Sequence, residues 1–243
     1  MVSSAQTYAD FAECEVKGYS PTYFEWANSI SQDRDALTLI DQLPPRCQQP
    51  NLIFAACRFL GDDPGPYAFF RDFLLTNLLD IADVTLHRRT QTNEPGRCAV
   101  LLPLLASLPQ PLALLEVGAS AGLCLYPDRY SYLYDSEHRI DPVDGVSEVS
   151  ISCATLGDPP LPNSLPEVVW RAGIDLHPLD VRDRTSMRWL EALVWPEQGF
   201  RHTRLNAAIA VARSDPHYSS NGSRKWPTRP LATRHWLSFT APC

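Results

Sequence analysis

LALLEVGASAGLCL, Leu112 to Leu125, is the stretch whose reading decides the fold. It opens as an apolar run closed by an acidic residue, Leu112-Ala113-Leu114-Leu115-Glu116-Val117, and passes into a glycine-spaced turn, Gly118-Ala119-Ser120-Ala121-Gly122. Leu123, Cys124 and Leu125 are apolar again and compatible with a helix. A short apolar run, a small-residue turn and a helix-forming continuation predict a buried strand, a tight turn and a helix start. Glycine permits positive φ and close backbone approach. Such a turn is expected to aim backbone N–H groups and the positive end of a helix dipole at one point, which suits an anionic or polarised ligand.

Three readings of the turn compete. Glu116-x-Gly118-x-Ser120-x-Gly122 resembles the first motif of class I S-adenosylmethionine-dependent methyltransferases, whose turn glycines approach the methionine part of the cofactor. Here Ser120 stands where that family most often has a middle glycine. Gly118-x-Ser120-x-Gly122 also matches the G-x-S-x-G nucleophile elbow of serine hydrolases. The plain alternative is a run of small residues that lets one element pack closely on another.

The surroundings weigh on that choice. Glu167 to Asp175 reads as a strand, and Gly173-Ile174-Asp175-Leu176-His177-Pro178 resembles the end of the second methyltransferase strand, where a carboxylate accepts both ribose hydroxyls of the cofactor. Asp175 fits that role only if residues 126–166 are an insertion, because the dinucleotide fold expects its acidic residue roughly 20 positions beyond the turn. Asp135 is closer in spacing but sits at the end of a weaker strand pattern, Arg129 to Tyr134. Asp175 as an ordinary turn cap is the alternative. A hydrolase needs a triad and an oxyanion hole, and Ser120, Asp175 or Asp180, and His202 supply the right order. No HGGG-like turn precedes the motif, which weakens that reading. A phosphate-binding P-loop is excluded by the missing Gly-Lys-Ser/Thr.

Upstream of Leu112 the chain reads as helix after helix. Ser20-Pro21 is a helix-start pair, Asp33 to Leu43 a short helix, and Asn51 an expected cap for Leu52 to Leu60, ended by Gly61. Tyr67 to Leu86 is one long apolar helical pattern. A polar knot follows, Arg88 to Arg97. Its simplest reading is a solvated loop in which Thr92 or Asn93 caps the next helix, kinked at Pro103. Its functional reading has Arg89, Asn93, Glu94 and Arg97 lining a substrate pocket. Downstream, Val146 to Cys153 alternates as a strand, Asp183 or Thr185 can cap a helix through Val194, and Phe200 to Arg213 is another helix.

The chain has 243 residues, enough for one large domain with a helical extension. A net charge of −7 argues against a nucleic-acid partner. No apolar run reaches membrane-spanning length, so a cytoplasmic protein with a small-molecule ligand is expected; the sequence does not set its oligomeric state. Seven cysteines, none in C-x-x-C spacing and most in apolar surroundings, predict buried thiols and no disulfide frame. The histidines show no i,i+4 pairing, so no metal site is expected.

Gln49-Pro50-Asn51-Leu52, Arg89-Thr90-Gln91-Thr92-Asn93-Glu94, Leu114 to Leu123, Asp128-Arg129-Tyr130, Gly173-Ile174-Asp175-Leu176 and Ala192 to Glu197 together resemble a bacterial, mainly actinobacterial, family of uncharacterised proteins, the domain of unknown function 2332. The resemblance implies a methyltransferase-like core without naming a reaction, and it stops after Asp215-Pro216. From His217 to Cys243 no acidic residue occurs while Arg224, Lys225, Arg229 and Arg234 are basic. That break in composition is expected to mark a reading-frame shift near codon 217 or a truncated product; an intact frame in the genomic reads would exclude the shift.

The sequence therefore predicts an α/β protein: a helical region over 1–108, an incomplete Rossmann-like, doubly wound sheet over 109–216, and an irregular, disordered tail over 217–243. Its expected role is that of an S-adenosylmethionine-binding, methyltransferase-like protein of unknown substrate, with Glu116, Gly118, Ser120, Gly122 and Asp175 on the cofactor. A non-catalytic or inactive scaffold is the alternative, and a Ser120 hydrolase the third.

Overall fold

The computed structural model describes residues 3–220 and 235–240. The chain is mixed α/β, with no closed barrel among the described residues, and it divides into two units.

The first unit, residues up to 91 with 188–199 returning to it, is helical. α1 (Ser4–Phe11) runs into a π-helical turn, Ala12–Val16. α2 (Pro21–Ile30) starts as its sequence demands: Ser20 Oγ accepts the Tyr23 N–H and Pro21 occupies the first turn. α3 (Arg34–Ile40) is capped by Asp33, whose Oδ1 accepts the Asp35 and Ala36 N–H groups. α4 (Pro50–Leu60) begins one residue before its expected cap and ends at Gly61, φ +113°. Asn51 is no cap: its Oδ1 accepts the Trp195 Nε1–H at 3.1 Å. The pattern from Tyr67 onward is two helices, α5 (Tyr67–Thr76) and α6 (Leu78–His87). They break at Asn77, whose amide donates to the Phe73 carbonyl and competes with the helical ladder.

An aromatic cluster fills this unit. Tyr8, Tyr23, Trp26, Phe54 and Phe70 are all at most 1% exposed. Trp26 stacks on Phe70 at 4.2 Å, and Phe54 meets Tyr8, Trp26 and Phe70 edge to face, the arrangements that ring quadrupoles favour.

The second unit, residues 92–187 and 200 onward, holds the strands. α7 (Arg97–Ser107) keeps Pro103 inside a continuous helix. β1 (Leu112–Val117) follows; it is the first strand among the described residues. β2 (Ser131–Tyr134), β3 (His138–Ile140) and β4 (Ser150–Cys153) make a small sheet of order β3-β2-β4, with β2–β3 antiparallel and β2–β4 parallel. β5 (Val168–Ile174) pairs with β1 in parallel. α8 (Arg184–Leu193) starts in this unit and ends in the first; Asp183 caps it, its carboxylate accepting the Thr185 and Ser186 N–H groups. α9 (Gly199–Ser214), β6 (Tyr218–Ser220) and β7 (His235–Thr240) complete the described residues.

The main sheet runs β6-β5-β1-β7, and each pairing in it is parallel. Two of its strands come from the stretch after residue 216 that the sequence reads as irregular.

The expected helix after the glycine turn is absent. Only a single 3-10 turn, Leu123–Leu125, follows, and the chain then builds the small sheet. Three tyrosines explain why the chain holds this path. Tyr130 donates to the Leu123 carbonyl at 2.6 Å, Tyr132 to that of Pro127 at 2.8 Å, and Tyr134 to that of Ala99 at 2.6 Å. Buried phenols need such acceptors, and these tie residues 123–134 into the unit's core.

Of the cysteines described, Cys47, Cys57, Cys98 and Cys124 are buried thiols, whereas Cys14 is exposed. No helix among the described residues is long and apolar enough to cross a membrane.

Candidate functional site at the end of β1 and β5

β1 and β5 end side by side, with Glu116 paired to Gly173 and Val117 to Ile174. The glycine turn folds back over that end. The N–H groups of Gly118 and Ala119 both donate to the Ile174 carbonyl, at 2.7 and 3.2 Å. Gly173 makes this closeness tolerable: a Cβ there would lie 2.7 Å from the Cβ of Ala119. Gly118, Ser120 and Gly122 have φ of 78°, 51° and 70°. The left-handed conformation costs a serine more than a glycine, so Ser120 is held by its partners.

Asp175 and Leu179 bond Ser120 itself, and Asn93 holds the residues around it; the Leu179 N–H donates to the Ser120 carbonyl at 3.1 Å. Asp175 Oδ2 accepts the Ser120 N–H at 2.8 Å, and its Oδ1 accepts the His177 N–H at 2.8 Å. Asn93, 5% exposed, donates from Nδ2 to the Ala119 carbonyl at 3.1 Å and accepts the Leu123 N–H at 2.7 Å. The Gly122 N–H closes onto the Ala119 carbonyl at 2.6 Å. The expectation of free N–H groups is corrected at Gly118, Ala119, Ser120, Gly122 and Leu123: each already has an acceptor inside the protein.

Glu116 stands out beneath the turn. It shares a strand face with Leu112 and Leu114, all three fully buried, and both of its carboxylate oxygens lack a hydrogen-bond partner among the described residues. Burial raises its pKa to about 8; the Arg97 charge opposes that rise and the Asp175 carboxylate adds to it. Glu116 is therefore mainly protonated at neutral pH.

The polar knot divides. Arg89 belongs to the first unit, where its guanidinium donates to the Arg88 carbonyl and its own carbonyl accepts the Trp189 Nε1–H. Asn93, Glu94 and Arg97 belong to the second. Neither Thr92 nor Asn93 caps α7; Gly96 precedes its first residue, and Glu94 Oε1 accepts the Gly96 N–H at 2.8 Å. Glu94 also accepts Arg201 Nε at 2.5 Å and Arg204 Nε at 2.8 Å, which ties the start of α7 to α9.

The weaker alternatives separate cleanly. Asp135 lies after β2, with its oxygens on Thr155, away from the turn. His202 is exposed on α9 and meets Asn206, so it does not complete a triad through the Asp175 carboxylate, which faces backbone N–H groups.

Sequence reasoning missed a second layer. Arg171, 8% exposed on β5, holds Asp128 through both guanidinium nitrogens at 2.9 and 3.0 Å and donates to the Leu125 carbonyl at 2.8 Å. Its guanidinium lies 4.6 Å from the centre of the Tyr126 ring. Tyr126 in turn meets His217. An arginine inside an otherwise apolar strand was the available signal for Arg171; nothing in the sequence marks His217.

A profile of the family described as "Uncharacterized protein conserved in bacteria (DUF2332)" matches residues 5–222. No curated protein and no solved structure matches the chain.

Proposed function

The chain belongs to this DUF2332 family of uncharacterised bacterial proteins, and on that premise we propose that it is a Rossmann-like, S-adenosylmethionine-binding protein of the methyltransferase kind, acting on a small molecule in the cytoplasm. The observation that carries the reading is the position of Asp175. It follows β5 directly, and its carboxylate touches the glycine turn at Ser120. The sequence distance between turn and acid loses its force because β2, β3 and β4 form a separate small sheet within the intervening segment. Numbered by chain order within the main sheet alone, β1, β5, β6 and β7 lie in the order 3-2-1-4, which is how the doubly wound dinucleotide fold begins.

The fit to the cofactor is uneven across the turn. Gly118 has open space where a Cβ would stand. Glu116 offers a buried carboxyl with both oxygens unused among the described residues. Gly122 and Asp175 already have neighbours, so a ligand reaching them must compete. The cofactor, when bound, would supply an activated methyl group. The residues assigned to hold it are Glu116, Gly118, Ser120, Gly122 and Asp175, and Arg97 is the pocket candidate nearest Glu116 in effect. Methyl transfer depends chiefly on positioning, and no side chain is assigned a covalent role.

Calorimetric titration with S-adenosylmethionine tests the reading. Saturable binding to the wild type, lost in the Glu116→Ala, Gly118→Ala double variant, is the expected result. Equal binding by both proteins would remove the assignment. A non-catalytic scaffold is favoured by one observation, the internal bonding of five N–H groups in and beside the turn. The hydrolase reading rests on the positive φ of Ser120, and covalent labelling of Ser120 by a fluorophosphonate would establish it.

A further inference from the structure

Two glycines of the second unit face the same side chain. A Cβ built on Gly122 would lie 2.3 Å from both Cε1 and Nε2 of His217, and one on Gly173 would lie 3.6 Å from its Cδ2 and Nε2. The imidazole edge therefore rests on the turn where a glycine lets a partner reach the backbone.

The opposite edge of the ring is oriented by Tyr126. The phenolic O–H donates to the Asp215 carbonyl at 2.6 Å, so the 3.1 Å contact between the Tyr126 oxygen and Nδ1 requires the ring proton on Nδ1. That tautomer leaves Nε2 as a bare acceptor. The atom is buried and has no hydrogen-bond partner among the described residues. An unpaired acceptor is worse off there than in water, so the inserted ring gives up hydration that it regains on leaving. Arg171 on β5, Asp180 beyond it and Asp215 at the end of α9 are the charged groups around this site. Burial, with the Arg171 charge, lowers the imidazole pKa to about 4, so the ring is neutral at neutral pH.

We propose that His217 gates the glycine turn: its ring occupies the ground that a ligand touching Gly122 needs, and binding displaces it. The proposal rests on the reading of this turn as a ligand site. His217 lies in the short link between α9 and β6, outside the helical and strand ladders. Any ligand at the turn then binds with its intrinsic affinity reduced by the fraction of molecules whose ring is out.

The test has two arms on the full chain. In the first, S-adenosylhomocysteine is titrated calorimetrically into wild type, His217→Ala and His217→Phe. Removal of the ring is expected to tighten binding by about tenfold or more, as for a closed state that dominates the free protein. His217→Phe keeps a ring in the cradle and is expected to bind no tighter than wild type. Equal affinities in all three overturn the gate while leaving the ligand site in place. If none of the three binds, the cofactor reading falls, and the second arm decides the gate without ligand. There, Gly122→Ala puts a methyl group where the ring rests, and the six histidines are titrated by NMR. The expected result is a His217 pKa that returns from about 4 toward its ordinary value, with a cooperative melt and unchanged titration of the other histidines. A His217 pKa that stays depressed shows the ring to be fixed packing and overturns the gate.

Discussion

The side-chain oxygen of Asn93 accepts the N–H of Leu123 at 2.7 Å, so a residue preceding α7 fixes the far end of the glycine turn. Asn93 also donates to the Ala119 carbonyl, which the Gly122 N–H shares, so one side chain holds both ends of the turn. Asn93→Ala leaves the Leu123 N–H unsatisfied, while the Ala119 carbonyl keeps the Gly122 N–H, and is expected to cost about 1–3 kcal/mol. Urea titration should show the loss as a lower midpoint with an unchanged slope. A variant as stable as wild type would show that the turn holds its shape unaided.

Glu116 makes stability depend on pH in a defined window. Its pKa is about 8 in the folded chain against 4.5 unfolded, so between these values the folded state holds the extra proton and stability falls as pH rises. Asp62, raised to about 6 by burial and by Asp63, adds the same slope at lower pH. His217, lowered from 6.5 to about 4, has the opposite slope, since the unfolded chain binds the proton first. Among these three groups Glu116 acts alone from pH 6.5 to 8, where one proton accounts for a loss on the order of 2 kcal/mol. Glu116→Gln should flatten that interval in denaturant titrations at several pH values, and a slope that persists in the variant would point to another group.

Glu94 receives two arginines from α9 and the Gly96 N–H. All three side chains are at most 22% exposed, so truncation strands partly buried charge. Glu94→Ala is expected to destabilise by about 3 kcal/mol, and Glu94→Gln by less because its amide oxygen still accepts. Thermal melts at low and high salt give a second check: a partly buried pair should lose little stability to added salt.

Arg171→Lys is expected to behave as a severe substitution. A lysine cannot reproduce the two-pronged contact with Asp128 together with the bond to Leu125, and a loss of about 2–4 kcal/mol follows. Paired with Asp128→Asn in a double-mutant cycle, the two losses should fall well short of adding. Additive losses would mean that the pair does not act as one unit.

Much of this arrangement is legible in the sequence because it depends on local chemistry. The apolar run with its glycines marks β1 and the turn, Ser20-Pro21 and Asp33 mark helix starts, and the apolar segment before Asp175 marks β5. The rest depends on where side chains reach across space. Asn93 has the composition of a helix cap and serves as a clamp on a turn whose residues lie 26 to 30 positions away. Leu123 to Leu125 suits a helix, but the buried phenols of Tyr130 and Tyr132 hold the chain in a tighter path. β6 and β7 lack a clean alternating pattern and earn their place by pairing with β5 and β1.

The helical unit is discontinuous in the chain, since residues 188–199 return to it. Those residues supply the Glu197 carboxylate to Ser20 and Thr22, the Trp195 indole to Asn51, and the carbonyls of Ala192 and Val194 to Arg58. During synthesis the N-terminal helices therefore emerge long before their last partners, and they wait on the ribosome with the start of α2 and the Arg58 guanidinium incompletely paired. An expression fragment cut at the unit boundary near Gln91 would lack those partners, so a faithful helical unit has to carry residues 188–199 as well.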